Sequence, residues 1–365
     1  MKTISEQSIM QSWNSTEIIV SICCTAYNHE QYIEQTLNSF LEQKTNFPFE
    51  IIISDDCSTD ATTDIIKQYV KAYPNIIKPI YQKENQYSKG ALPIRDFILP
   101  NVAGKYIALC EGDDYWADAH KLQQQIDLLE RNHTLMGCGH NTRFIKNGVL
   151  TDKLFLDPDN TQDTYTFDDI IDSAYFHTTS LVYRYSDEHK KEIDEYLSKY
   201  SCVDRNDYYM LLVFSKFGEI GYINKIMSVY RLNDGGIWSG ADDEAQLIMF
   251  LKGCIAFSGI FGSKYKFKFL YSFANTMAEQ YSRLSSDFFS KTLSDLDNDD
   301  CMSVIEYLTM FKKKDNNMIK ECSEYISFLE NQLNDNSFKS LVIKFIKVSG
   351  LYKIINYVRG NIQTR

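Results

Sequence analysis

The sequence predicts an α/β protein: a mostly parallel sheet covered by helices on both faces, followed by a helical C-terminal region. Three observations predict it. From Glu17 to Cys110, strand-like runs alternate with helix-like ones, a succession that implies parallel strands joined by crossover helices. Polar or acidic clusters follow directly on three of those strands. After Gly240 nearly every segment reads as helix, which places a boundary there: residues 1–240 form one domain, and 241–365 a helical region.

The elements follow in order. Glu17–Cys24 (EIIVSICC) is a short apolar run that ends in a polar loop, the pattern of a buried strand. Glu30–Gln43 carries Ile33, Leu37, Phe40 and Leu41 at helical spacing. Phe49–Ser54 is the next strand. Asp60–Tyr73 is the next helix, with Ile65, Ile66, Tyr69, Val70 and Tyr73 on one side. Ser58 or Thr59 is placed to cap it. Ile76–Tyr81 and Lys105–Cys110 complete four strands. From Met136 to Leu232 the pattern is mixed: strand-like Thr178–Arg184 and Ile226–Arg231 surround helical Asp187–Tyr200 and Asp207–Phe217.

The bulk composition narrows the function classes. The 365 residues carry a formal charge of −11, which argues against a nucleic-acid surface. An acidic chain still binds phosphorylated ligands where a cation supplies local positive charge. Nine scattered cysteines without a C-x-x-C pair fit neither a zinc framework nor a disulfide lattice, and point to a reducing cytoplasm. The first 17 residues are polar and read as no signal peptide. Leu247–Phe261, short for a membrane span and containing Lys252, reads as a buried helix.

In parallel sheets, ligands bind beyond the carboxyl ends of the strands. The residues there are Thr25-Ala26-Tyr27-Asn28, Asp55-Asp56-Cys57-Ser58 and Glu111-Gly112-Asp113-Asp114, all expected on one rim. Three carboxylates in four residues repel one another unless a cation is held among them. Mg²⁺ or Mn²⁺ takes one or two carboxylates, its other positions going to water and phosphate oxygens. The bland alternative, a solvated acidic turn, does not explain three such strand ends together. A carboxylate of the Asp55-Asp56 pair can accept a pyrimidine N3–H while Tyr27 offers a flat face to the base.

These segments resemble the family 2 glycosyltransferases, with their GT-A nucleotide-sugar fold. The resemblance covers roughly residues 17–240. It rests on T-A-Y-N (Thr25–Asn28), I-I-I-S-D-D-C-S-T-D (Ile51–Asp60), K-Y-I-A-L-C-E-G-D-D-Y-W (Lys105–Trp116) and the later N-D-Y and V-Y-R. Each motif is weak alone; their order and spacing carry the match. The resemblance implies donor contacts at Thr25, Tyr27, Asn28, Glu30, Asp55, Asp56, Arg95 and Asp113. It implies a divalent metal, Mn or Mg, on Glu111, Asp113 and Asp114. Arg95-Asp96 resembles the family's Arg-Asn pair, with Asp in place of Asn. Asp207 in Arg205-Asn206-Asp207-Tyr208 matches the acidic signature that carries the base, with Asp204 as the neighbour to distinguish from it. His177, Thr178 and Trp116 fall on the acceptor side. Tyr230-Arg231-Leu232-Asn233 matches Y-R-x-H with Asn233 replacing His, so Arg231 and Asn233 are candidate diphosphate contacts. The following Asp234-Gly235-Gly236-Ile237-Trp238 is a candidate lid.

The implied reaction is an inverting transfer from a nucleotide-sugar donor to a glycan or lipid-linked glycan, in bacterial surface-polysaccharide assembly such as capsule or lipopolysaccharide. The rival from another class is a catalytically silent nucleotide- or glycan-binding protein on the same scaffold. A nucleotidyltransferase or dehydrogenase would need a glycine-rich phosphate loop after the first strand, and none follows Cys24. Glycoside hydrolysis would not account for a nucleotide-binding rim. From Phe338 to Arg365 there are six basic residues and no acid, with Leu341, Val342, Phe345, Val348, Tyr352 and Ile355 at helical spacing. Such a helix lies on an anionic membrane surface or docks on its own protein or a partner subunit. The expectation is therefore a cytoplasmic protein, peripheral on the inner membrane face or self-associating through its C-terminal helices.

Overall fold

The computed structural model describes residues 4–172, 176–200, 205–233, 240–262, 264–266, 268–269 and 272. Asp204, the Asp234–Trp238 stretch and the basic segment from Phe338 lie outside the described residues. The chain divides into two compact units, Met1–Ala241 and Asp242–Arg365.

The first unit opens with α1 (Glu6–Met10), β1 (Val20–Ala26), α2 (Ile33–Leu41), β2 (Phe49–Asp55), α3 (Thr62–Ala72), β3 (Ile77–Tyr81) and β4 (Tyr106–Leu109). It continues with β5 (Tyr115–Trp116), α4 (Lys121–Arg131), β6 (Leu135–Lys146), β7 (Val149–Leu154), β8 (Thr164–Tyr165), α5 (Phe167–Asp172) and β9 (Val182–Arg184). It ends with α6 (Asp187–Ser198), α7 (Asn206–Phe217) and β10 (Glu219–Leu232). One sheet runs in the order β3-β2-β1-β4-β9-β6-β10-β5, with β7 added to β6 and β8 to β10.

The pairings β1–β2, β1–β4, β2–β3 and β6–β10 are parallel, and β9 is antiparallel to both β4 and β6. Strands β1, β2, β3, β4, β6 and β10 therefore all point one way. The sheet is mostly parallel, as the alternation predicts, with β9 as an antiparallel seam at its middle.

The burial pattern explains the local choices. β2 is buried at every position, which suits a strand covered on both faces. α2 buries Ile33, Leu37, Phe40 and Leu41, the stripe its spacing foretells. These pack with Val20, Ile22, Ile51 and Ile53 into the main core. Where β1 and β4 begin, Gly104 approaches the neighbouring backbone closely: a Cβ there would lie 2.6 Å from the Ser21 nitrogen. Buried Glu50 accepts from the Ser21 hydroxyl and from the Ala103 N–H, tying that junction together.

The predicted cap of the second helix is corrected by the structure. α3 begins at Thr62, and Ala61 at its N-cap makes no side-chain bond. The Ser58 hydroxyl instead donates to Asp55 Oδ1 and accepts from the Asn28 N–H. Several elements have no counterpart in the sequence reading, the longest being α4 and β6. β6 is broken up by Gly137 and Gly139 and buries polar His140, Asn141 and Thr142, so it lacks an apolar run. The glycines leave room for Tyr183 and Phe176, whose rings would meet an added Cβ within 2.7 Å and 2.6 Å.

In the second unit, α8 (Asp243–Ile260) contains most of the apolar stretch read as a helix; the Asp242 carboxylate caps it by accepting from the Ala245 N–H. Its Cys254 and Phe257 are buried. No helix among the described residues is long and apolar enough to cross a membrane. The described cysteines are all free thiols, and all but Cys57 are buried.

Candidate active site

The carboxyl ends of β1, β2 and β4 are adjacent in the sheet, so their loops meet along one rim. The loops after β1 and β2 are stitched together. Asn28 sits in the left-handed region at φ 55° and its Oδ1 accepts from the Thr59 N–H at 2.8 Å. The His29 N–H donates to Thr62 Oγ1, and the Glu30 N–H to Asp60 Oδ2. Glu30 Oε2 in turn accepts from the Ala61 N–H. Asn28 and Glu30 thus build the wall, while Tyr27 presents 43% of its surface to solvent beside it and Thr25 is half-buried.

The paired aspartates after β2 have separate tasks. Asp55 is buried and accepts from the hydroxyls of Ser58 and Thr63, bracing its own loop. Asp56 accepts from the N–H groups of Gln86 and Tyr87 at 2.7 Å and 3.0 Å. It therefore pins the segment after β3 against the rim.

The β4 loop is drawn tightly onto β1. The Gly112 N–H donates to the Thr25 carbonyl at 2.8 Å, and a Cβ at Gly112 would meet His29 Nδ1 at 2.8 Å. From α2, the Thr36 hydroxyl donates to the carbonyls of Gly112 and Asp114. Asp114 is fully buried: its Oδ1 accepts from the Arg231 N–H at 2.7 Å, while its Oδ2 has no hydrogen-bond partner. Burial, then the charges of Asp113 and Glu111, push its carboxyl well above the usual range. Glu111 is pushed up to about 8 by desolvation first, then by Asp113 and Asp207. An orphaned buried carboxylate oxygen is costly, and its neighbours are more acids.

His177 arrives at this point from the turn before β9. Its Nδ1 lies 3.9 Å from Asp114 Oδ2, and burial lowers the imidazole to about 3, so it is neutral at working pH. Glu111, Asp114 and His177 each offer one ligand atom, all within 4.8 Å of one another. Two acids and a neutral imidazole around an unpartnered oxygen fit a divalent cation. Asp113 lies beside this set, its Oδ2 accepting from Asn233 Nδ2 at 2.9 Å and standing 4.0 Å from His29 Nε2.

The turn that carries His177 is held from below. Trp116 is buried between Phe40 and Lys121, and its indole N–H donates to the Thr179 carbonyl. Gln125 donates to the Ser180 carbonyl, and the Ser180 hydroxyl to the carbonyl of His177. Thr178 is buried in the same turn. Tyr230 lies over the imidazole with ring centroids 4.0 Å apart. Asp207 stands in the first turn of α7, close enough for its charge to raise both Glu111 and Tyr183.

The structure thus gathers Glu111, Asp113, Asp114, His177, Asp207, Arg231 and Asn233 in one neighbourhood, with the Tyr27–Glu30 wall on the adjoining loops. Arg95 is engaged elsewhere: its guanidinium grips Asp96 at 2.6 Å and donates to the Tyr200 carbonyl after α6. Sequence reasoning missed His29, Gln35 and Tyr32, which line the acidic loop from α2 and the turn before it. Gln35 and Tyr32 look like ordinary helix-surface residues, and no signal in the sequence marks them. The sequence offers His177 as an acceptor-side candidate; the fold sets it beside the carboxylates instead.

The family model described as glycosyl transferase family 2 matches residues 21–199, from β1 to the end of α6. An uncharacterized Mycobacterium tuberculosis protein, Rv1520, is 35% identical over 222 residues, 61% of this chain and 61% of its own length. The chain thus spans about three fifths of the length of its mycobacterial relatives. The Escherichia coli UDP-Glc:alpha-D-GlcNAc-diphosphoundecaprenol beta-1,3-glucosyltransferase WfgD is 28% identical over 228 residues, 61% of this chain and 81% of its own. Among solved structures, S. aureus TarS 1–349 in complex with UDP-GlcNAc superposes with a TM-score of 0.53 at 17% identity, covering 90% of this chain and 92% of that one. That likeness is one of fold. The family match falls on the strands and loops that converge on the acidic rim: over residues 21–199 this chain, which has a GT-A fold, is similar to glycosyl transferase family 2.

Proposed function

We propose that this protein is an inverting glycosyltransferase that moves a sugar from a nucleoside diphosphate, a UDP-sugar, to a hydroxyl of a glycan or lipid-linked glycan. The observation that carries the reading is the buried, unpartnered Asp114 Oδ2 within 4.8 Å of ligand atoms from Glu111 and His177. Those three residues, with Asp113 alongside, would hold Mn²⁺ or Mg²⁺. The imidazole favours Mn²⁺, because Mg²⁺ prefers oxygen throughout. When bound, the cation neutralises the diphosphate leaving group.

The protein's own groups do the rest. Tyr27 and the loop after β2 receive the nucleobase, and the bonds already formed within that wall keep it in place. Asp207 takes the proton of the attacking hydroxyl, since a carboxylate beside the acidic loop is positioned to act as general base. The single base fits inversion. The sugar and acceptor follow from analogy with WfgD, whose name gives a UDP-glucose donor and a diphosphoundecaprenol-linked acceptor. TarS likewise binds UDP-GlcNAc. A lipid-linked acceptor would bring the reaction to the cytoplasmic face of a membrane, in surface-polysaccharide assembly.

The test is a panel of nucleotide sugars with Mn²⁺ or Mg²⁺, read by released nucleotide and by calorimetric titration with UDP. Metal-dependent UDP binding and turnover of at least one UDP-sugar are expected. Failure to bind any nucleoside diphosphate in the presence of metal would overturn the proposal.

A further inference from the structure

In the sequence, Arg231 resembles a diphosphate contact. The structure gives its guanidinium other partners. Arg231 is 8% exposed. Its Nε donates to the Asp113 carbonyl at 2.8 Å and its Nη2 to Gln35 Oε1 at 2.9 Å. The guanidinium carbon lies 4.4 Å from the centre of the Tyr32 ring and 5.8 Å from that of Tyr115. The backbone N–H of the same residue holds Asp114 Oδ1. One residue of β10 therefore grips the acidic loop at two consecutive aspartates, and anchors that grip on α2.

We propose that Arg231 is a positioning residue that presents Asp114 to the cation, and not a contact to the diphosphate. This rests on the metal site proposed above. A free carboxylate can turn about its Cβ–Cγ bond and exchange its two oxygens. With Oδ1 held by the Arg231 N–H, Oδ2 is the oxygen left facing Glu111 and His177. The N–H can do this only while the Asp113–Asp114 backbone stays in register with the end of β10. The pairing of Val229 with Tyr115 sets that register from below, and the Nε–carbonyl bond closes it from above. Planarity matters here. A guanidinium can donate to a carbonyl and to Gln35 in one plane while lying over an aromatic ring, whereas an ammonium cannot. Residues that orient metal ligands typically contribute 10- to 100-fold in metal affinity.

The test compares wild type with Arg231→Met, Arg231→Lys and Gln35→Leu. Mn²⁺ binding without nucleotide is followed by electron paramagnetic resonance, UDP binding at saturating Mn²⁺ by calorimetry, and folding by thermal melting. Arg231→Met is expected to weaken Mn²⁺ binding about 10-fold or more, with Arg231→Lys and Gln35→Leu in between. UDP affinity at saturating metal should stay within about threefold of wild type. Mn²⁺ binding by Arg231→Met equal to wild type, with UDP binding lost, would make the guanidinium a diphosphate contact and overturn the proposal. Should Arg231→Met fail to fold, Gln35→Leu decides: unchanged Mn²⁺ affinity sinks the clamp, weakened affinity supports it. If wild type itself binds no Mn²⁺, the site reading fails, and the clamp with it.

Discussion

At the scale of single residues, the acidic loop makes two linked predictions. Glu111 has its carboxyl raised to about 8 from 4.5, through desolvation and then the charges of Asp113 and Asp207. A carboxyl raised by folding contributes stability below its unfolded value and loses it as pH climbs to the folded one. Metal-free protein should therefore melt at progressively lower temperature between about pH 4.5 and 8, and Glu111→Gln should flatten that decline. Because cations displace those protons, Mn²⁺ affinity should rise over the same interval; a pH-independent affinity in wild type would count against Glu111 as a ligand. Asp207 makes a different prediction. Asp207→Asn should lower turnover by about 10²- to 10⁴-fold while leaving metal-dependent UDP binding near wild type. Lost UDP binding in that variant would remove the base assignment.

At the scale of elements, the junction of β1 and β4 and the start of α4 carry the sharpest expectations. A methyl at Gly104 would press on the backbone of Ser21 and Val20 at 2.6 Å and 2.8 Å, where no side chain can swing aside. Gly104→Ala should cost about 1–3 kcal/mol in urea denaturation. Lys121, fully buried in the first turn of α4, donates to Gln125 and lies over the Trp116 ring. Burial lowers its ammonium to about 7 from 10.5. The unfolded chain then binds the extra proton between those values, so this lysine makes the native state more stable as pH rises from about 7 to 10.5. Lys121→Met should remove that rise in a comparison of melting curves. Neither effect was legible in the sequence. The first four strands and α2 were, because apolar runs and helical spacing record burial on two faces and on one stripe. β6 was not, since its burial falls on glycines and polar groups paired within the fold. The cap expected from Ser58 was lost to Asp55 and Asn28, partners brought near by the sheet.

At the scale of the molecule, the sheet order explains why the site could be half read. Glu111, Asp113 and Asp114 share one loop, and the sequence displays them as a run. His177 and Asp207 come from segments before and after β9, and Arg231 and Asn233 from the end of β10. The antiparallel seam and the pairing of β5 with β10 bring these beside the loop after β4. If the cation joins both sides of that seam, saturating Mn²⁺ should raise the melting temperature. At a hundredfold excess over the dissociation constant the gain is about 2.7 kcal/mol, and Asp114→Ala should abolish most of it. The lacing between the loops after β1 and β2 has a kinetic consequence. Asn28, His29 and Glu30 are bonded across to Ser58, Thr59, Asp60, Ala61 and Thr62 by groups of the chain itself. A base entering there meets a finished socket, so stopped-flow mixing with fluorescent nucleotide should show one exponential whose rate grows linearly with concentration. A plateau would reveal a slow rearrangement that this lacing ought to forbid.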